Sequence, residues 1–202
     1  MRFLGIDLAS RCSAYVLLDS EGHVLEQGDS YGISEWDFVD KIKEAGEIFS
    51  SFGPESRYFV NIVIEDLPHH VPFRVSVKEV LRLQGRLIHE IDGYGELDRV
   101  FWLPPAVWQR SYDGVWRKGV AGAREAAASL GYEPPDLLSD DVRFPYKELK
   151  GKERTKIREA AKKLMTDYVD AYLIAEWARR THIEHGTLLV KGVQETFWRA
   201  SA

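Results

Sequence analysis

Four carboxylates have the residue types and spacing from which chemistry can be built. Asp7 closes the apolar run Phe3-Leu4-Gly5-Ile6-Asp7, and Glu65 closes Ile62-Val63-Ile64-Glu65. An acid ending an apolar, buried strand is costly unless a cation or a hydrogen-bond donor offsets its charge. If the two strands are parallel neighbours, both acids emerge at the carboxyl edge of the sheet, where open α/β sheets bind ligands. Much further along, Asp167-Tyr168-Val169-Asp170-Ala171 sets two acids three residues apart, on one face of a helix. Ala171, Ala175 and Ala178 are small enough for that helix to lie close on the sheet. Convergent hard oxygen donors suit magnesium or manganese rather than zinc, and they match two-metal phosphodiester hydrolysis. Taken singly, an acid at a strand end is as readily a turn former or a cap, and an i, i+3 pair is commonly solvated surface. Their order along one chain makes the set more specific than its members.

The elements that must position these acids can be read from hydrophobic period. Residues 2–8, 12–18 and 24–29 are strand-like, with a turn at Ser20-Glu21-Gly22-His23. Ser34 opens a helix with Trp36, Val39 and Ile42 on its apolar stripe, ended by Phe52-Gly53-Pro54. Residues 58–65 (YFVNIVIE) read as a strand buried on both faces. Helical spacing returns over 77–91 through Val80, Leu81, Gln84, Leu87, Ile88 and Ile91. A strand is predicted at 99–103, stopped by Pro104-Pro105, then helices at 106–112 and 121–130 and one or two helices over 155–180. Residues 131–150, with Pro134, Pro135 and Pro145, have no clear assignment. The pattern is α/β, without repeats or low-complexity tracts.

Composition is that of an ordinary soluble globular chain, with 45% hydrophobic and 29% charged residues among 202. One domain is expected at this length. Cys12 is the only cysteine, which excludes an internal disulfide and a multi-thiolate zinc site. Asp7 and Arg11 interrupt the first apolar stretch, so neither a leader nor a membrane span is expected there. The formal charge of −5 argues against a polybasic coat or a cationic membrane binder. That charge is unevenly spread. Residues 1–98 carry nine basic and eighteen acidic side chains, residues 99–202 eighteen basic and fourteen acidic. The densest basic run, 147–163, has Lys147, Lys150, Lys152, Arg154, Lys156, Arg158, Lys162 and Lys163 against Glu148, Glu153 and Glu159. It leads directly to Asp167 and Asp170, where it could neutralise phosphates, though such runs are usually solvated helix faces.

Gly5-Ile6-Asp7-Leu8-Ala9-Ser10-Arg11, the Ile64-Glu65 strand end and Asp167-x-x-Asp170-Ala171 together resemble the RuvC family of Holliday-junction resolvases. Val80-Leu81-Arg82-Leu83-Gln84-Gly85-Arg86 is similar to that family's helix after the fourth strand, 101–112 to its fifth strand and the next segment, and 152–163 to its basic helix. The resemblance covers most of 1–112 and 150–180. It implies a ribonuclease-H-like fold, a mixed five-stranded sheet flanked by helices. It further implies that Asp7, Glu65, Asp167 and Asp170 are both catalytic residues and ligands of two Mg2+ ions, with Mn2+ as a substitute. The implied activity is a crossover junction endonuclease that resolves four-way and other branched DNA by paired symmetric nicks. The implied assembly is a homodimer pairing through the helix at 77–91. Phe73 and Arg74 stand where the family places an aromatic near the junction centre. With Lys150, Lys152, Arg154 and Lys156 they are the expected DNA-binding set. A compact phage or bacterial enzyme is implied, working in the bacterial (for a phage, the host) cytoplasm. Residues 113–149 depart from the family pattern as a possible insertion, and Trp116, Arg117 and Lys118 align with no family role.

Two other readings stay open. Gly5-Ile6-Asp7-Leu8 followed by a Ser also resembles the first phosphate loop of actin-like ATPases and sugar kinases, although 202 residues leave no room for their second half and adenosine loop. A junction-binding relative without activity is the other, and the presence of all four acids weighs against it. His69-His70 and His182-Ile183-Glu184-His185 lack zinc-motif spacing and are expected to be surface or capping residues. Asp66 is expected on the opposite strand face from Glu65.

Overall fold

Alternation along the first strand decides which helices cover which side of the sheet. The computed structural model describes residues 1–9, 12–47, 60–66, 75–92, 99–112, 115–138, 143–144 and 149–195. The elements are β1 (Arg2–Asp7), β2 (Ala14–Leu18), β3 (Val24–Asp29), α1 (Glu35–Glu47), β4 (Val60–Glu65), α2 (Val75–Asp92), β5 (Arg99–Leu103), α3 (Pro105–Ser111), α4 (Val115–Lys118), α5 (Val120–Ser129), α6 (Gly151–His185) and β6 (Gln194–Glu195). The sheet runs β3-β2-β1-β4-β5-β6. β1, β4 and β5 are mutually parallel, while β2, β3 and β6 run antiparallel to their neighbours. The expected five strands are present. The sixth is a two-residue edge, tied by Arg99 to Glu195 at 2.6 and 2.8 Å, too short to leave a period in the sequence.

Leu4 and Ile6 of β1, with Ile62 and Ile64 of β4, face a core completed by Phe38, Val39 and Ile42 of α1 and Leu83 and Leu87 of α2. Phe3 of β1 and Val63 of β4 face the other core, with Trp108, Ala123, Leu164, Ala171 and Ala175. Strands clothed on both faces explain why 60–65 reads as continuous apolar sequence.

α1 begins as expected. The Asp37 N–H donates to Ser34 Oγ and the Ser34 N–H to Asp37 Oδ2, each at 3.1 Å, a reciprocal cap. Trp36 corrects the expected stripe: it is 50% exposed, because the Arg86 guanidinium lies over its ring at 4.6 Å instead of core. Glu35 accepts from Arg82 and from Arg86, binding α1 to α2. Leu81, also expected on an apolar stripe, is exposed.

α6 is one helix of 35 residues, longer than expected at both ends. Gly186, at φ +70°, closes it by donating its N–H to the His182 carbonyl. Its first ten residues are exposed apart from the half-buried Ile157 and Ala160, so the basic run is a solvated arm. Its middle, through Tyr168, Val169 and residues 171–178, is core. Gly5 makes that packing possible: a Cβ there would lie 2.2 Å from the Ala171 carbonyl oxygen and 2.5 Å from the Ala175 nitrogen. The unassigned stretch before α6 also packs. Tyr132 stacks on Tyr172 at 4.1 Å, Tyr31 on Phe144 at 4.4 Å, and Leu137 is buried. Among the described residues, no helix is long and apolar enough to cross a membrane.

Candidate active site

The parallel pairing of β1 with β4, in register Ile6 to Ile64, puts Asp7 and Glu65 side by side at the carboxyl edge. Both share the face of Phe3 and Val63, the side on which α6 lies. α6 crosses that face at Gly5, two residues before Asp7, and lowers Asp167 and Asp170 toward the strand acids. All four carboxylates fall within one electrostatic cluster. Asp7 is 7% exposed and Asp167 5%, so water screens them poorly.

The energetic consequence is carboxylates that resist ionisation. Burial pushes Asp7 well above the usual carboxylate range, and the charges of Glu65, Asp170 and Asp167 push it further. Burial likewise raises Asp170, with Glu65 and Asp167 adding to it, to about 8. Glu65 is raised by burial, but hydrogen bonds from Trp108 and with Asp7 pull it back. Asp167 is raised by burial against the pull of Lys163. Lys163 Nζ donates to both Asp167 oxygens at 3.1 and 3.2 Å. One partly exposed ammonium cannot balance four acids. Hard oxygen donors with unrelieved mutual repulsion are the donor set that divalent Mg2+ or Mn2+ fits.

Three supports are absent from the sequence reading. Trp108, 1% exposed, donates its indole N–H to Glu65 Oε1 at 2.9 Å, fixing one oxygen and leaving the other to face the cluster. Asp29, 2% exposed, accepts two bonds from Arg143 at 2.8 and 3.1 Å and one from the Tyr168 hydroxyl at 2.6 Å. Tyr168 adjoins Asp167, so this clasp sets the rotation of α6 at the acids. The third support is Lys163, one helical turn before Asp167. In the sequence it reads as one more member of the basic run, although the i, i+4 spacing is a legible signal.

Trp108→Phe keeps the ring apolar and in place and deletes the donor. It should raise the Glu65 carboxyl further and cost about 2 kcal/mol, the scale of a hydrogen bond to a charged group. Carboxyl NMR titration and urea unfolding measure the two effects. An unmoved Glu65 titration would dismiss the indole's role.

The remaining expected residues separate. Lys150, Lys152, Arg154 and Lys156 are exposed on the arm of α6, and the fold does not bring them to the acids. Phe73, Arg74, Lys147 and His69-His70 lie outside the described residues. His182 and His185 occupy the last turn of α6, and the His182 ring lies against Phe3, at the sheet end away from Asp7. Among the described residues, three donor atoms within 4.8 Å of one another occur at Asp19, Glu21 and His23. That group is a turn, with Asp19 Oδ1 accepting the N–H groups of residues 21–23. It lies at the opposite sheet edge from Asp7, since Leu18 pairs with Phe3. The four acids themselves are spread more widely than a single-ion cage.

No protein-family model and no curated protein sequence matches the chain. Solved structures do. The chain is similar to Thermus thermophilus RuvC, with a TM-score of 0.54 and 15% identity over 93% of this chain and 98% of that one. It is similar also to T. thermophilus RuvC in complex with Holliday junction substrate, with a TM-score of 0.52 and 13% identity over 92% and 96% of the two chains. The fold is therefore ribonuclease-H-like, the architecture of these RuvC neighbours.

Proposed function

We propose that this chain is a metal-dependent endonuclease of the RuvC type, which resolves four-way and other branched DNA by paired, symmetric nicks. The observation that carries the reading is the convergence of Asp7, Glu65, Asp167 and Asp170 on one buried face at the carboxyl edge of the sheet. Asp7, Glu65, Asp167 and Asp170 would hold two Mg2+ ions, which would supply an activated water and stabilise the leaving oxygen when bound. Asp7 and Glu65 approach from strands, and Asp167 and Asp170 from a helix held by Gly5. Trp108 orients Glu65, and the Asp29 clasp orients α6. Lys150, Lys152, Arg154 and Lys156 contact phosphates along the solvated arm, and Phe73 and Arg74, outside the described residues, complete the proposed DNA-binding set. α2 pairs across a two-fold axis, which would present two sites to a symmetric junction.

The test is incubation with a synthetic four-way junction and Mg2+. The expected products are two nicks related by the junction's symmetry, in opposing strands. Junction binding without any nicking would instead assign the chain as a binding module.

A further inference from the structure

Lys163 differs from the basic residues of the solvated arm because it is turned back onto the acids. Its Nζ donates to both oxygens of Asp167, at 3.1 and 3.2 Å. Its charge favours the ionised forms of Asp7 and Asp170 as well. The two partners sit in unlike settings: the lysine side chain is 52% exposed and the aspartate 8%. The pair also runs in the weaker helical order, with the cation N-terminal to the anion at i, i+4. An ammonium so placed, on a flexible four-carbon stem and readily hydrated, leaves at little cost.

A divalent ion cannot share Asp167 with that ammonium. Mg2+ binds a carboxylate oxygen at about 2.1 Å, and a cation bound to both oxygens would stand beside it with like charge where water screens poorly. Resting on the endonuclease reading, we propose that Lys163 is a placeholder cation, which holds Asp167 until a divalent ion takes that carboxylate and is then released toward the phosphate of a bound strand. The ammonium must be displaced before Asp167 can serve as a ligand, so Lys163 weakens metal binding by the chain alone. Once displaced, Nζ stays within one helical turn of Asp167 on the solvent side, where a phosphate can take it up. A lysine that only positioned Asp167 would act with the opposite sign, because its loss would slacken a ligand and weaken metal binding.

The experiment measures Mn2+ binding to the full chain without DNA, from the electron paramagnetic resonance signal of the free ion. Lys163→Met keeps the stem and deletes the charge, and it should bind Mn2+ about tenfold more tightly, the scale of a group next to a metal ligand. Lys162→Met deletes an exposed charge one residue away and should change the affinity by less than about twofold. With a four-way junction, Lys163→Met should reach half-maximal nicking at a lower Mg2+ concentration, at a maximal rate about tenfold below wild type. Lys163→Gln is read in its place if Lys163→Met does not melt as wild type does. Unchanged or weaker Mn2+ binding in the Lys163 variant, or an equal gain in Lys162→Met, overturns the placeholder and leaves the endonuclease reading to the nicking of wild type. An undiminished maximal rate overturns the release toward phosphate. Tighter Mn2+ binding confined to the Lys163 variant, with no nicking by wild type, upholds the placeholder and overturns the endonuclease reading.

Discussion

Asp7→Asn should abolish nicking while making the metal-free protein more stable. The two effects have one origin. Asp7 is buried among like charges, so its ionised form is unfavourable in the fold, and an amide of the same shape removes that penalty. In the proposed nuclease the same charge is what divalent cations would require, and its loss should lower the rate on the order of 10³-fold. The sign of the pH dependence has the same source. The folded state holds protons on Asp7 and Asp170 that an unfolded chain releases above about pH 4. Without metal, stability is therefore greatest near and below pH 4 as far as these groups are concerned, and falls as pH rises toward about 8, where Asp170 ionises. Thermal melts in chelator at pH 5 and pH 8 should show the decline, and Asp7→Asn should shrink it. Mg2+ should restore more stability at pH 8 than at pH 5, because the ions bind the deprotonated acids. A wild-type melting temperature in chelator that rises from pH 5 to pH 8, with Asp7→Asn below it, would refute the cluster's electrostatics.

Gly5→Ala should damage stability and activity by a single displacement. The added methyl would meet backbone, the Ala171 oxygen at 2.2 Å and the Ala175 nitrogen at 2.5 Å, and no side-chain rotation relieves that. α6 must lift by about an ångström, at a cost of about 3 kcal/mol as an overpacked core contact. In a chain of 202 residues this is a fall of about 10 °C in Tm. The lift also carries Asp167 and Asp170 away from Asp7, and an ångström of misplacement costs about 10² in rate. Urea unfolding and nicking rates measure the pair. Loss of stability with full activity would separate the glycine from the site.

The acids are legible in the sequence because each sits where local pattern is strongest: two at the ends of apolar strands, two on a helix of small residues. The close packing implied by Ala171 and Ala175 is legible for the same reason, and Gly5 opposite them completes it. What stays hidden depends on distance along the chain. Trp108 reaches Glu65 across 43 positions, Arg143 reaches Asp29 across 114 and Tyr168 reaches Asp29 across 139. No period links such residues. Trp36 departs from its expected place because helical spacing reports which face a residue occupies, not whether core extends beneath it; here Arg86 covers the ring instead. Residues 131–138 lack any period because their order comes from ring stacking, as Tyr132 on Tyr172 shows.

The uninterrupted length of α6 has a last consequence, which is metrical. Lys152 and Asp167 belong to one helix, so about 22 Å of axial rise separates them at 1.5 Å per residue. At 3.4 Å per step of a duplex strand, that is an offset of six to seven nucleotides, roughly. Under the proposed nuclease reading the helix works as a ruler, with phosphates gripped at its zero mark and the strand cut at a graduation that the backbone sets.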